Sequence, residues 1–182
     1  MLDVMTNEKR QAVFFDRDGV ILKAVVMDEK PRPPHSIAEY NALSGVVAGA
    51  KEAVLKVKRA GFLAFLISNQ PDIAYGNISK AEWQWIQDQL TDIPFDGVLI
   101  CFHRRDDNCD CMKPGPGKLL EAEKKWNINL SGSFLVGDTK DDVAAAQAAG
   151  TQSILLEASY NADVQSDFRI GVLSELPDIL QK

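Results

Sequence analysis

The sequence predicts an α/β fold, a three-layer sandwich in which a mainly parallel sheet is covered by helices on both faces. Three features point there. Short apolar runs rich in Val, Ile, Leu and Phe alternate with stretches whose apolar residues recur every three or four positions. The runs are continuous, so they read as buried strands joined by right-handed crossovers. They also end on polar residues, at the edge where open α/β sheets bind ligands. The 182 residues suffice for one substantial core, and no internal repeat or low-complexity tract divides them. Residues 1–182 are therefore expected to form a single domain.

Ala12-Val13-Phe14-Phe15 is too short for a helix and reads as the first strand. It runs into Asp16, Asp18 and Gly19; in extended backbone the two acids share a side. Two adjacent buried carboxylates repel, and a metal ion or a shared proton would relieve that. A plain Asp-Gly turn is the alternative. Lys23 to Asn41 carries Pro31, Pro33 and Pro34 with little periodicity, and reads as a long connection overhanging the first strand's end. Val46, Val47, Ala50, Ala53, Val54 and Val57 recur at helical spacing, with Gly61 as the C-terminal cap. Phe62 to Ile67 is the second strand, ending in Ser68-Asn69-Gln70-Pro71. Ser79 and Glu82 have capping-box spacing ahead of a helix faced by Trp83, Ile86 and Leu90. Trp83 and Trp85 read as packing residues. Gly97 to Cys101 is the third strand. Pro114-Gly115-Pro116 opens a helix carrying Leu119, Leu120, Ala122 and Trp126. Ser133 to Gly137 is the fourth strand, with Asp138 at its end; Asp141 to Ala149 is a helix stopped by Gly150. Gln152 to Leu156 is the fifth strand, and Ser174 to Leu180 a short final helix.

The formal net charge is −6, which argues against a nucleic-acid partner. No apolar run approaches the length of a membrane span. Met1 to Arg10 is polar and charged and lacks the apolar core of a signal peptide, so a cytoplasmic protein without a membrane partner is expected. The three cysteines all fall between Cys101 and Cys111, an odd number that makes no disulfide framework. Cys101, His103, Cys109 and Cys111 form a C-x-H-x5-C-x-C pattern, and three thiolates with one imidazole suit a closed, structural Zn²⁺ site. Stray reduced thiols beside a surface histidine are the alternative.

Asp16, Asp18, Ser68, Asp138 and Lys113 fall at strand ends or in the loops that follow, and are expected to meet on one rim. The acids suit Mg²⁺, which prefers oxygen ligands. The hydroxyl and the ammonium suit phosphate oxygens. Phe15 to Gly19, Ser68-Asn69, Lys113 and Gly137 to Asp142 resemble, in order, the four motifs of the haloacid dehalogenase (HAD) superfamily of phosphohydrolases. The cysteine loop and the following Met112 to Gly117 resemble its zinc-bearing branch, which contains heptose-bisphosphate and histidinol-phosphate phosphatases. Asn69 to Gly76 is closer to the heptose enzymes.

The resemblance implies a HAD-like, Rossmannoid fold with no separate cap domain. It implies a Mg²⁺-dependent phosphatase acting on a small phosphorylated sugar, a heptose bisphosphate first and histidinol phosphate as the alternative. Asp16 would be the nucleophile and Asp18 the general acid and base. Ser68 and Lys113 would bind phosphate oxygens. Mg²⁺ would sit on Asp16, Asp138 and the backbone carbonyl of Asp18, with Asp142 orienting Lys113 or a metal-bound water. Asn69, Gln70, Arg104 and Arg105 are expected at the substrate. Tyr75 and Met112 stand where the heptose enzymes usually carry arginines, and Arg104 and Arg105 are either replacements for them or solvated surface charge. A phosphotransferase and a non-catalytic zinc-stapled binding domain stay open as alternatives, and a monomer is expected.

Overall fold

The run Ala12–Asp16 folds as β1, with Ala12 to Phe15 wholly buried. The computed structural model describes residues 8–181; the polar stretch behind the signal-peptide expectation lies largely outside them. After β1 come β2 (Val25–Met27), β3 (Lys30–Arg32), α1 (Ile37–Ala42), α2 (Ala50–Arg59), β4 (Leu63–Asn69), α3 (Asp72–Tyr75), α4 (Lys80–Asp88) and β5 (Gly97–Cys101). The chain continues through α5 (Gly117–Trp126), β6 (Phe134–Gly137), α6 (Lys140–Ala149), β7 (Gln152–Leu156), β8 (Phe168–Ile170) and α7 (Leu176–Leu180).

Six strands form one parallel sheet in the order β5-β4-β1-β6-β7-β8. Side chains of β1 alternate between two cores, as strand geometry requires. Val13 and Phe15 pack with residues of α2, α4 and α7. Ala12 and Phe14 pack with residues of α5 and α6 on the other face. The three-layer expectation therefore holds. Register puts the polar ends together: Asp16 pairs with Ile67, next to Ser68, and Phe15 pairs with Val136, two residues before Asp138.

Several local expectations need correction. The Lys23–Asn41 stretch is not irregular. β2 and β3 form an antiparallel hairpin through Asp28 and Glu29, both at positive φ. That turn conformation normally advertises itself with glycine, and here no glycine marks it. Ser36 then caps α1, and Glu39 grips Arg32 through two 2.8 Å bonds. Helix α2 starts at Ala50, so Val46 and Val47 precede it; Gly61, at φ +92°, ends it as expected, directly after the C-cap Ala60. β4 runs on through Ser68 and Asn69, which pair with Ile100 and Cys101. β8 was not foreseen: it is three residues long, with an arginine in the middle. The last predicted helix begins as a 3-10 turn, Leu173–Glu175. Among the described residues no helix is long and apolar enough to cross a membrane.

Aromatic packing supports the centre of the sheet. Phe65 stacks on Phe14 with ring centres 5.3 Å apart and packs tilted against Trp126 at 4.8 Å, and a Cβ at Gly97 would press on both Phe65 and Trp126. Truncating a buried Phe removes its transfer energy and leaves a cavity. Phe65→Ala is expected to cost about 3–5 kcal/mol in urea unfolding. A loss under about 1 kcal/mol would mean the stack contributes little.

Candidate active site

Each acid reaches the rim by strand geometry. Asp16 is the last residue of β1, Ser68 and Asn69 close β4, and Asp138 follows β6 at the turn into α6. Lys113 comes from the loop after β5 and is clamped by its backbone. Asn69 Oδ1 accepts the Lys113 N–H at 3.0 Å, and Asn69 Nδ2 donates to the Lys113 carbonyl at 2.9 Å. Lys113 Nζ then reaches Asp16 Oδ1 at 2.7 Å and Asp142 Oδ1 at 2.5 Å. The other Asp142 oxygen closes the first turn of α6, accepting from Thr139 Oγ1 at 2.6 Å, Thr139 N at 3.0 Å and Asp138 N at 3.3 Å. Asp142 therefore has neither oxygen free. Asp16, Asp18, Ser68, Asn69 and Lys113 line one cleft of about 140 Å³ beneath the β2–β3 hairpin.

Asp16, Asp138 and Asp142 are buried and bring carboxylate oxygens within 4.8 Å of one another. Burial pushes the Asp16 carboxyl up to about 7; Lys113 pulls it down while Asp142 and Asp18 push it up. Burial also raises Asp138 well above the ordinary carboxylate range, with Asp142 and Asp16 adding to the effect. Burial opposes the charge of Lys113, but Asp142 and Asp16 outweigh it and hold the ammonium firmly protonated. One lysine against three acids leaves negative charge in excess, which a divalent cation would offset.

The donor set fits Mg²⁺. Every candidate ligand is oxygen. Asp138 Oδ1 is buried with no hydrogen-bond partner, while Oδ2 accepts from the Tyr160 hydroxyl at 2.5 Å. Gly19, at φ +98°, lets the turn after β1 come so close that a Cβ there would lie 2.1 Å from Asp138 Oδ2. Sequence reasoning missed Tyr160, since nothing in its neighbours marks it.

Asp18 sits in a polar network that sequence reasoning also missed in part. Arg17 is almost fully buried; its Nε and Nη2 reach the two Asp18 oxygens at 3.0 and 3.2 Å. The guanidinium also donates to Gln70 Oε1 at 2.8 Å and lies 5.6 Å from the Trp83 ring centre. Gln70 Nε2 donates to Asp18 Oδ2 at 2.7 Å and to Ser68 Oγ at 2.8 Å. Its Oε1 also takes the Trp83 indole N–H at 2.9 Å. Gln70, expected at the substrate, is instead buried with both ends of its amide engaged. It positions Asp18 and Ser68. Trp83 packs as expected, yet belongs to this network. A buried arginine between two acids was the available signal, because such a charge has to be paired.

The two loop arginines part company. Arg105 lines the cleft. Arg104 donates to the Ala74 carbonyl at 2.9 Å and lies 5.7 Å from the Tyr75 ring centre, and it lines an adjoining pocket with Arg105, Met112 and Lys113. The Tyr75 hydroxyl accepts the Arg105 backbone N–H at 2.8 Å.

Cys101, His103, Cys109 and Cys111 also converge, each offering a ligand atom within 4.8 Å of the others. The sulfurs are 3.2–3.6 Å apart, far beyond a disulfide at about 2.05 Å. His103 Nδ1 is 3.1 Å from Cys111 and 3.5 Å from Cys101. Those spacings approach the edges of a Zn²⁺ tetrahedron, roughly 3.5–3.8 Å for bonds of the usual length. Burial and the hydrogen bonds with Cys101 and Cys109 push the Cys111 thiol up to about 12. A bound metal reverses that by deprotonating coordinated thiols.

A family model described as HAD-hydrolase-like matches residues 110–166. The curated D-glycero-beta-D-manno-heptose-1,7-bisphosphate 7-phosphatase of Vibrio cholerae serotype O1 is 35% identical, over 81% of this chain and 81% of its own. The Escherichia coli K12 protein of the same name is 30% identical over 94% of each chain. A solved D,D-heptose 1,7-bisphosphate phosphatase from B. bronchiseptica, complexed with magnesium and phosphate, superposes with a TM-score of 0.77 at 23% identity, covering 94% of this chain and 98% of its own. A HAD-like phosphatase structure from Mesorhizobium loti gives 0.73 at 28% identity, covering 95% and 85%.

Gly19→Ala is expected to unfold in urea at least about 1 kcal/mol more easily than Gly61→Ala. Both positions have φ above +90°, but Gly61 faces open space and Gly19 faces Asp138. Equal losses would show that the close approach to Asp138 is unimportant.

Proposed function

This chain belongs to the haloacid-dehalogenase-like (HAD) phosphatases, and on that premise we propose that its substrate is a phosphorylated sugar, D-glycero-D-manno-heptose 1,7-bisphosphate, cleaved at the 7-phosphate. The reading is carried by one observation: Lys113 Nζ bridges Asp16 and Asp142 at the floor of the cleft, 2.7 and 2.5 Å away. An ammonium carries three donors, so one remains for a phosphate oxygen.

In this reading Asp16 attacks phosphorus and the bond to the sugar oxygen breaks, leaving an aspartyl phosphate. Asp18 gives its proton to the departing sugar oxygen. It then takes a proton from water as the water oxygen attacks phosphorus, releasing phosphate and restoring Asp16. Lys113 and Ser68 hold the non-bridging oxygens as their charge grows. Arg17 and Gln70 fix the carboxylate of Asp18 between these two steps. Asp16, Asp138 and the backbone carbonyl of Asp18 would hold Mg²⁺, whose charge offsets the repulsion between Asp16 and the phosphate. Arg105 has no acidic partner among the described residues and serves the far end of the substrate.

The Cys101, His103, Cys109 and Cys111 cluster is read as a structural Zn²⁺ site. Its loop closes onto the start of α5 through the Gly117 N–H to Asp110 carbonyl bond of 2.8 Å, and it delivers Arg105 and Lys113.

Asp16→Asn should abolish phosphate release with the fold unchanged by circular dichroism; near-normal turnover would remove Asp16 as nucleophile. Metal analysis should find about one zinc per chain. Its removal should lower thermal stability and activity together, and zinc-free protein that stays stable and active would overturn the structural role. Comparison of kcat/KM across phosphorylated sugars and histidinol phosphate should favour the heptose bisphosphate. Preference for histidinol phosphate would sink the substrate and leave the hydrolytic chemistry standing.

A further inference from the structure

Tyr160 lies outside the four motifs that supply Asp16, Asp18, Ser68, Lys113 and Asp138. It sits between β7 and β8, 22 residues after Asp138, yet its hydroxyl donates to Asp138 Oδ2 at 2.5 Å. The other oxygen of that carboxylate is buried and unpartnered. A carboxylate with one oxygen gripped and one left bare points in a single direction.

The segment that carries Tyr160 is itself pinned. Asn161, fully buried, donates from Nδ2 to the Asp138 carbonyl at 2.8 Å and to the Leu156 carbonyl at 2.9 Å. Its Oδ1 accepts the Ala158 N–H at 3.0 Å. Arg169 of β8 closes the turn by donating to the Asn161 carbonyl at 3.1 Å and the Val164 carbonyl at 2.6 Å. The hydroxyl is thus held by a braced loop and not by a mobile one. Asp138 receives two contacts from consecutive residues, one on its side chain and one on its backbone.

We propose that Tyr160 is a positioning residue for the catalytic metal: its hydroxyl fixes the Asp138 carboxylate so that Oδ1 faces the cation. This rests on the reading of Asp138 as a Mg²⁺ ligand. Partners of this kind fix the orientation of a ligating carboxylate, and losing one typically costs 10–100-fold in metal affinity or activity. Asn161 and Arg169 hold the loop and act through Tyr160.

The test is a Mg²⁺ titration of the full chain, without substrate, read as the concentration giving half of the metal-induced rise in thermal midpoint. Tyr160→Phe keeps the ring and removes the donor; Tyr160→Leu removes both. The Mg²⁺ requirement is expected to rise about tenfold in each. Circular dichroism and the midpoint in chelator check that the variants fold. An unchanged requirement in Tyr160→Phe overturns the inference, and a rise confined to Tyr160→Leu overturns it too, since ring packing would then be responsible. Asp138→Asn separates the two levels. Should wild type show no Mg²⁺ response, or Asp138→Asn respond like wild type, the metal reading of Asp138 itself fails.

Discussion

One buried cation organises this end of the molecule. Lys113 stands between Asp16 and Asp142, with Asp138 close by, and all four side chains are nearly sealed from solvent. Charges removed from water are tolerated only when geometry and further hydrogen bonds compensate. That constraint explains the precision around the site. Asn69 fixes the lysine by its backbone, Thr139 and the start of α6 satisfy Asp142, and Gly19 leaves room for Asp138. Compensation is nonetheless incomplete. Burial first, and then the neighbouring carboxylates of Asp142 and Asp18, leave Asp16 hard to ionise, and a cation there would offset both.

The cluster of three thiols and one imidazole lies next to this site. Cys101 ends β5 and pairs in register with Asn69. The residue that terminates one strand therefore anchors the cysteine cluster, and its neighbour across the ladder holds Lys113. From the other side Tyr75 takes the backbone N–H of Arg105. The loop that carries Arg105 and Lys113 is thus tied to the sheet, to α3 and to α5. Asp16, Ser68 and Asn69 face the cleft from strand ends, and Lys113 and Arg105 face it from a loop anchored to rigid elements.

Much of this could be read from residues alone. Parallel strands end on one edge, so polar residues placed at the ends of apolar runs had to meet; Asp16, Ser68 and Asp138 do. The spacing of Cys101, His103, Cys109 and Cys111 carried its own geometry, and the four side chains converge. What escaped depends on direction more than on residue type. Gln70 follows two exposed-looking polar residues and reads as one of them, but its side chain folds inward to Trp83 and Arg17. Arg104 and Arg105 are adjacent and chemically identical, yet Arg105 lines the cleft between the acids while Arg104 also bonds the Ala74 carbonyl. The hairpin stayed hidden because Asp28 and Glu29 take a turn conformation that glycine or asparagine usually signals. Tyr160 was invisible because it and Asp138 lie in separate loops, 22 residues apart, that only the folded chain brings together.

Asp142 carries a double duty with a consequence for motion. Its carboxylate both caps the first turn of α6 and holds Lys113, so fraying of that turn would take one of the lysine's two carboxylate partners with it. Local opening of this kind exposes backbone amides to exchange with solvent. The Thr139 amide, bonded to Asp142, is therefore a built-in reporter, and its deuterium uptake measures the fraction of molecules whose active site is momentarily out of order.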